Sequence, residues 1–176
     1  MHLTAILMFA LVAATTAVAG AQQPDSLHFP VVEGESLTGV RTTLPADFAG
    51  ERNLVFVAFS RGQQADVDTW TPLAKRLVAA DSGLRSYELP TLARRYRLIR
   101  PMIDGGMRRG IADSATRAAT ITLYIDKSPF ERALGIADED SIAVLLVARG
   151  GDVLWHTRGR WTPEAEAALA AVLRPR

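Results

Sequence analysis

Cysteine is absent from the sequence. Thiolates are the nucleophiles of disulfide exchange and of thiol-dependent peroxide reduction, so this chain alone carries out neither reaction. Disulfide bonds and anchoring through a lipidated cysteine are excluded for the same reason. The fold must therefore be stabilised by its hydrophobic core, and 176 residues, 48% of them hydrophobic, are enough to form one.

Histidine and lysine are scarce, with three histidines in the sequence and lysine only at Lys75 and Lys127. A Ser-His-Asp hydrolase needs a histidine beside its serine, and the Gly-x-Ser-x-Gly motif that presents such a serine is absent. The formal net charge of +1 gives no general attraction for nucleic acid. We therefore expect neither a hydrolytic triad nor a nucleic-acid partner.

An acidic cluster, Asp138-Glu139-Asp140, is the strongest candidate for a cation site. It lacks the alternating ligands and the glycine of a calcium-binding loop. The cluster is therefore predicted to be a solvated turn, and we expect no metal site and no cofactor.

The N-terminal segment Leu3–Ala19 is apolar and carries small residues at Ala17, Ala19 and Ala21. This pattern predicts a signal peptide over residues 1–21, followed by one domain over residues 22–176. The expected location is periplasmic or secreted. The alternative is an uncleaved anchor. Membrane contact is expected only through such an uncleaved leader or through a membrane-protein partner.

Hydrophobic periodicity predicts an alternation of strands and helices along the domain. Arg85–Leu89 is predicted as a strand stopped by Pro90, and Thr91–Ile103 as a basic helical stretch ended by Asp104-Gly105-Gly106. A short helix near Ser114–Ala119 and a strand over Thr120–Ile125 follow. These segments define a predicted helical insertion at about residues 90–119.

The last third of the chain carries clear boundary signals. Ser128 is predicted to cap a helix that has Pro129 at its first position and ends at Gly135. The apolar run Ile142–Ala148 predicts a central strand covered on both faces, and a glycine pair turns the chain back in a hairpin. A final helix that starts at Thr162-Pro163 is expected to bury Leu169, Val172 and Leu173.

The segment Asn53–Leu73 combines a buried strand ending at Phe59, a polar loop and an amphipathic helix that contains Pro72. This arrangement resembles the thioredoxin-like superfamily, in which a Cys-x-x-Cys pair or a single peroxidatic cysteine lies at the start of the helix. Alignment of Pro72 with the helix proline of that family places the pair at Gln64-Ala65-Asp66-Val67, which we call the redox slot. The resemblance implies a thioredoxin-like fold without its redox chemistry.

The opening of the domain refines this resemblance. A short hairpin around Gly39 is followed by Leu44–Glu51, which is similar to the Leu-x-x-Phe-x-Gly-Lys element of the peroxiredoxin and redoxin branch. The predicted fold is accordingly α/β and thioredoxin-like with the peroxiredoxin-type elaboration. It has a central mixed β-sheet flanked by helices, an N-terminal β-hairpin and the helical insertion.

The family places a cis-proline before the hairpin strand, opposite the active cysteine, whereas this chain has Asp140-Ser141-Ile142 there. A cis bond before a residue other than proline is costly, so this peptide is expected to be trans. The residues around the slot are then candidates for binding, with ordinary helix capping as the alternative. They are Ser60, Arg61, Gln63, Gln64, Asp66, Val67, Asp140, Ser141 and Ile142.

Positive charge is concentrated in the predicted insertion. A solvated helix face is one interpretation of these arginines, and a surface for an acidic protein or for lipid headgroups is the other. The candidates for a partner surface are Arg94, Arg95, Arg97, Arg100, Arg108 and Arg109.

These observations favour a non-catalytic, exported thioredoxin-like protein that acts by protein binding, as an assembly factor or adaptor. The alternative is an enzyme, or a subunit of a redox complex, that uses the same pocket without thiols of its own. Phe29-Pro30 and the segment Val67–Pro72 also resemble the mitochondrial ATP synthase assembly factors, which implies a role in assembling a membrane complex.

Overall fold

The computed structural model describes residues 27–174, which form a seven-stranded sheet with helices on both faces. The predicted leader, residues 1–21, lies outside the described residues. The strands are β1 Val32–Ser36, β2 Arg41–Leu44, β3 Arg52–Ala58, β4 Leu84–Ala93, β5 Ile121–Ile125, β6 Ala143–Ala148 and β7 Val153–Arg158. The helices are α1 Gln64–Ala80, α2 Arg100–Gly110, α3 Ser114–Ala119, α4 Lys127–Ala133 and α5 Pro163–Leu173, with 3-10 helices at Arg61–Gln63 and Arg94–Ile99.

The strand order is β2-β1-β5-β4-β3-β6-β7. The central strands β3, β4 and β5 are parallel, while β6 and β7 on one side and β1 and β2 on the other continue the sheet in antiparallel pairs. Gly39, at φ 89°, forms the turn between β1 and β2. The predicted mixed sheet with an N-terminal hairpin is confirmed.

The central strands are buried on both faces because alternate side chains enter two separate hydrophobic clusters. On one face, Val55 of β3 packs in a cluster with Phe130 of α4. On the other, Phe56 of the same strand packs with Trp70 of α1 and Leu169 of α5. The apolar residues of α1 recur every three or four positions, which turns one face of this helix towards the sheet.

Both ends of the described chain lie at the end of the sheet where the central strand β3 begins. At the start of β3, the guanidinium of Arg52 donates a hydrogen bond to the carbonyl oxygen of Leu173, at 2.9 Å. The amide of Val153 donates to the carbonyl oxygen of Leu27, also at 2.9 Å. The turn before Val153 lies at this end because β6 runs antiparallel to β3, with Ala148 opposite Arg52. The start of α1 lies at the opposite end of the sheet, where β3 ends.

Strand β4 continues through Pro90, so the predicted stop at this residue is wrong. Pro90 is the last residue of β4 that pairs with β3, opposite Ala58. The next residue, Thr91, pairs with Leu123 of β5. Because the strand changes its neighbour at this point, it extends beyond the proline, which has no amide hydrogen to donate.

Helix α2 continues through the predicted glycine break at Asp104–Gly106. Asp104 is only 5% exposed, and its carboxylate accepts hydrogen bonds from the hydroxyl of Tyr124 at 2.8 Å and from Nε of Arg100 at 3.1 Å. These bonds hold the middle of the helix on the sheet, which offsets the cost of the glycines. The insertion therefore occupies residues 94–119, and the predicted helical residues 91–93 belong to β4.

Helix α4 begins at Lys127, two residues earlier than predicted. Asp126 occupies the N-cap position without a side-chain capping bond, so the prediction that Ser128 caps the helix is wrong. Gly135, at φ 64°, follows the helix end as predicted.

Helix α5 starts at Pro163 as predicted, and the side chain of Thr162 caps it by accepting a hydrogen bond from the amide of Ala165. Leu169 is buried, but Val172 remains 39% exposed, contrary to the prediction. Among residues 27–174, no helix combines the length and the apolar character needed to cross a membrane.

Candidate functional site

The redox slot forms the first turn of α1, at the end of the sheet where β3 ends. Ser60 has an extended backbone, at φ −145° and ψ 156°, and leads into the 3-10 helix that precedes Gln64. The hydroxyl of Ser60 makes no capping hydrogen bond, so helix capping does not account for this serine. Asp66 lies in the first turn, where a carboxylate interacts favourably with the helix dipole, and it contacts the guanidinium of Arg160 at 3.2 Å.

Gln63 links the segment before α1 to the loop before β6. Its side-chain oxygen accepts a hydrogen bond from the amide of Phe59 at 2.7 Å, and its side-chain nitrogen donates to the carbonyl oxygen of Glu139 at 2.6 Å. The residue is only 7% exposed. Gln63 therefore positions the loop Asp138–Ile142 against the start of α1, a role that its place in the sequence did not indicate.

We call the surface formed by Ser60–Val67 and Asp138–Ile142 the slot end. Its predicted residues differ in their access to solvent. Gln63, Val67 and Ile142 are buried and support the surface from below. Ser60, Arg61, Gln64 and Asp140 are exposed, while Asp66 and Ser141 are partly exposed.

The surroundings of Gln64 are acidic. Its side-chain nitrogen donates to the carboxylate of Asp68 at 3.1 Å. Glu88 lies behind it on β4, and burial together with the nearby charge of Asp68 raises the pKa of the Glu88 carboxyl. Two carboxylates at this position disfavour a further negative charge, so the surroundings oppose the thiolate that the family stabilises here.

The loop Asp138–Ile142 is held by Arg158 of β7. The guanidinium of Arg158 donates to the carboxylate of Asp138 at 2.6 Å and to the carbonyl oxygen of Ser141 at 3.2 Å. The pKa of Asp138 is lowered by a hydrogen bond from the amide of Asp140 and by this guanidinium. Within residues 27–174 the cis peptide bond is at Leu44-Pro45, so the bond before Ile142 is trans as expected.

The carboxyl groups of Glu131, on α4, and Glu139, in the loop Asp138–Ile142, interact with each other. Burial and the neighbouring Glu139 raise the pKa of Glu131. The pKa of Glu139 is lowered, because its carboxylate forms an ion pair with Lys127. One oxygen of Glu131 is buried without a hydrogen-bond partner, while the ammonium of Lys127 pairs with Glu139. Opposite pKa shifts of the two groups are what a carboxyl pair beside one ammonium group is expected to show.

The predicted arginine surface divides into two groups. Arg100 faces inward and forms ion pairs with Glu35 and Asp104, so this guanidinium is part of the internal structure. The other arginines are exposed on the insertion, and none forms an ion pair with another residue in the range 27–174. They are Arg94, Arg95, Arg97, Arg108 and Arg109.

Large apolar side chains lie among the exposed arginines, and no pattern in the sequence distinguishes them from core residues. Leu98 is 92% exposed and Met102 is 68% exposed, with Tyr96 at 39% and Ile99 at 43%. We call these four residues and the five exposed arginines the basic–apolar patch. On one side of the patch, Arg94 and Arg97 line a cleft of about 640 Å³ against the β1–β2 hairpin.

No group of three or more histidine, aspartate or glutamate side chains converges as metal ligands in the part of the chain that the structure describes. The acidic loop instead directs its charges to protein groups. Asp138 contacts Arg158, and Glu139 contacts Lys127.

The sheet order and the helix after β3 define a thioredoxin-like fold, in a chain that has no cysteine. Comparison with solved structures supports this fold. The chain is similar to BsSco, a member of the Sco family of cytochrome c oxidase assembly proteins, with a TM-score of 0.57 and 15% identity over 85% of this chain and 94% of that one. It is also similar to a thiol:disulfide interchange protein from Bacteroides sp., with a TM-score of 0.56 and 19% identity over 83% and 86%.

A putative electron transport protein from Aquifex aeolicus VF5 aligns with a TM-score of 0.61 and 7% identity, over 85% of this chain and 96% of that one. At these identities the likeness establishes the fold alone. No family model and no curated protein matches the chain. The resemblance to the mitochondrial ATP synthase assembly factors finds no support among the structural neighbours, which are thioredoxin-like proteins.

Proposed function

We propose that this protein acts in an extracytoplasmic compartment by binding another protein at the slot end, as an assembly factor or adaptor, and that it performs no thiol chemistry. The observation that carries the proposal is the bridge made by Gln63. It holds the start of α1 and the loop Asp138–Ile142 together as one preformed surface. Preformed surfaces bind with a smaller loss of conformational entropy.

The loss of redox function extends beyond the missing cysteines. Val67, at the second cysteine position of the slot, is a core residue with 4% exposure. Gln64, at the first, lies beside Asp68 and Glu88, whose charges disfavour a thiolate. The trans peptide before Ile142 removes the family's second substrate contact. These features support a thioredoxin-like fold that serves binding instead of redox chemistry.

The proposed location follows from the apolar leader predicted at residues 1–21. One structural neighbour, with a TM-score of 0.52 and 13% identity, is the pneumococcal exposed lipoprotein thioredoxin from Streptococcus pneumoniae. Another neighbour, BsSco, belongs to a family named for assembly of cytochrome c oxidase. Together they make an assembly role outside the cytoplasm a coherent proposal for this chain.

Position-specific crosslinking tests the proposal. A photoreactive amino acid is placed at Arg61 or Ala65, which are exposed at the slot end, or, as a control, at the exposed Leu154 near the start of β7, at the opposite end of the sheet. We expect one envelope protein to be crosslinked from the first two positions and not from the third. Adding Gln63→Ala should abolish the crosslink because it releases the loop, whereas Gln64→Ala should not.

The same preparation is assayed for reduction of insulin disulfides and for consumption of peroxide, and neither is expected above the blank. Equal crosslinking from all three positions, or none from the slot end, contradicts the proposal. Thiol-independent peroxide consumption would instead favour the enzyme alternative.

A further inference from the structure

The basic–apolar patch is the largest concentration of exposed apolar side chains in the described residues. Of the nine large apolar side chains exposed there, four lie within residues 96–102. Isolated exposed apolar residues are normal on protein surfaces, but clusters mark sites of interaction. The patch belongs to the insertion and is separate from the slot end.

The charge of the patch has one sign. Its five arginines form no ion pair with residues 27–174, and the single acidic residue within 94–110, Asp104, is buried and bound to Arg100 and Tyr124. A complementary surface must therefore be anionic.

The distribution of the two residue types indicates what kind of anionic surface fits. Tyr96 lies between Arg95 and Arg97 in the chain, and Leu98 follows directly, so charged and apolar groups alternate. The centre of a protein interface is depleted of lysine, aspartate and glutamate, but arginine, tyrosine and methionine are enriched there, so residue type alone fits either partner. At a membrane surface, arginine and tyrosine reach the headgroups while neighbouring apolar side chains enter the acyl boundary, and Leu98 and Met102 are sufficiently exposed, at 92% and 68%, to do so.

We propose that the basic–apolar patch binds the surface of an anionic lipid bilayer, with Leu98 and Met102 inserted below the headgroups. The high exposure of these two side chains, 92% and 68%, allows insertion without any change in the fold. Each exposed arginine near an anionic surface strengthens binding about fivefold. The contact is peripheral and reversible, since neither the 3-10 helix nor α2 is long enough to cross a bilayer.

The absence of cysteine makes a local test practicable in the full chain. Met102→Cys is labelled with an environment-sensitive fluorophore, and Leu154→Cys on the opposite edge strand is labelled as a control. Labelled protein is mixed with vesicles of phosphatidylglycerol and phosphatidylcholine, or of phosphatidylcholine alone. We expect a blue shift from position 102 only, in anionic vesicles only, and its loss at 0.5 M NaCl. Because the readout is local, insertion of the apolar leader alone does not produce it.

Two variants carry the proposal further. Arg108→Glu with Arg109→Glu should reduce the affinity for anionic vesicles more than tenfold, and Leu98→Ser should remove the blue shift. Arg132→Glu with Arg149→Glu changes the net charge equally at sites outside the patch and should have little effect. An absent shift at position 102, an equal shift at 154, or an unchanged affinity after the first double substitution overturns the lipid proposal. The first of these results would leave an acidic protein surface as the partner.

Discussion

The slot end and the basic–apolar patch use their polar groups in opposite ways. At the slot end, Gln63, Lys127 and Arg158 each bind a partner within the protein. In the patch, five arginines and four large apolar side chains are exposed, and the arginines form no ion pair with residues 27–174. The first region is thus stabilised from within, whereas the exposed groups of the second are available to an external surface. Substitution of these bonded side chains, or of the buried Asp104 that fixes the insertion below the patch, should therefore affect folding. Substitutions in the patch itself should affect binding.

The largest effect is expected at the anchor of the insertion. Asp104→Ala removes the carboxylate that binds Tyr124 and Arg100, leaving Arg100 with one ion-pair partner fewer. Breaking a buried ion pair on one side costs about 3 kcal/mol. Urea denaturation should show this loss, and Asp104→Asn, which still accepts from the tyrosine hydroxyl, should lose less. A loss below 0.5 kcal/mol would show that the insertion does not depend on this anchor.

The next effect is expected at Gln63. Gln63→Ala leaves the amide of Phe59 and the carbonyl of Glu139 without their partner, at a cost of about 2 kcal/mol. Gln64→Ala, at the exposed neighbouring position, should cost less than 0.5 kcal/mol in the same measurement. Hydrogen exchange should also be faster in the loop Asp138–Ile142 of the first variant alone. Equal stability of the two variants would contradict the bridging role.

The slot end could be predicted from the sequence only in part. The strand, the polar loop and α1 follow from hydrophobic spacing within a short segment, so the position of the slot was predictable. Gln63 binds Glu139, 76 residues further along the chain, and no local pattern reports such a contact. Likewise α2 passes its glycines because Asp104 reaches Tyr124, 20 residues away. Long-range hydrogen bonds decided what local propensity left open.

The patch shows a second limit of sequence reasoning. Periodicity identifies which face of a helix is apolar, but it does not show whether that face is covered. Leu98 and Met102 are as apolar as core residues and become informative only through their exposure. Their arginine neighbours were predicted as a surface, because unpaired charge is rarely buried.

A smaller, pH-dependent effect is expected from Glu131. Because its pKa is raised in the folded state, the folded protein holds this proton more tightly than the unfolded chain does. The resulting stability is present below the ordinary value of 4.5 and is lost as the pH rises through the raised pKa. Glu131→Gln should remove that loss, so the variant should gain stability relative to wild type between pH 4 and pH 8. Glu33→Gln, at an exposed position, serves as the control in urea titrations at both values.

A thiol introduced at the slot tests the acidic surroundings directly. The start of a helix lowers the pKa of a thiol, but Asp68 and Glu88 oppose this effect at position 64. We expect the thiol of Gln64→Cys to titrate at or above the ordinary value of about 8.5, and at a lower value after Glu88→Gln is added. Alkylation rates measured against pH provide the test. A value well below 8.5 in the single variant would show that the slot still favours a thiolate.

The smallest effect on folding is expected in the patch. Leu98→Ser, and Arg108→Glu with Arg109→Glu, should each change the free energy of unfolding by less than 0.5 kcal/mol, because exposed side chains without internal contacts contribute little. Thermal and urea unfolding provide the measurement. A large loss of stability in either variant would remove the distinction between the two regions.

The arrangement of the chain ends has a practical consequence for immobilisation. The carbonyl oxygens of Leu27 and Leu173 both accept hydrogen bonds at the end of the sheet where β3 begins, and the slot end lies at the opposite end of the sheet. A tag, a fluorescent protein or a surface linker attached ahead of the domain or behind it is therefore held away from the slot end. Immobilisation through either terminus presents the same face to a solution of candidate partners, so agreement between the two orientations provides an internal check on any binding assay.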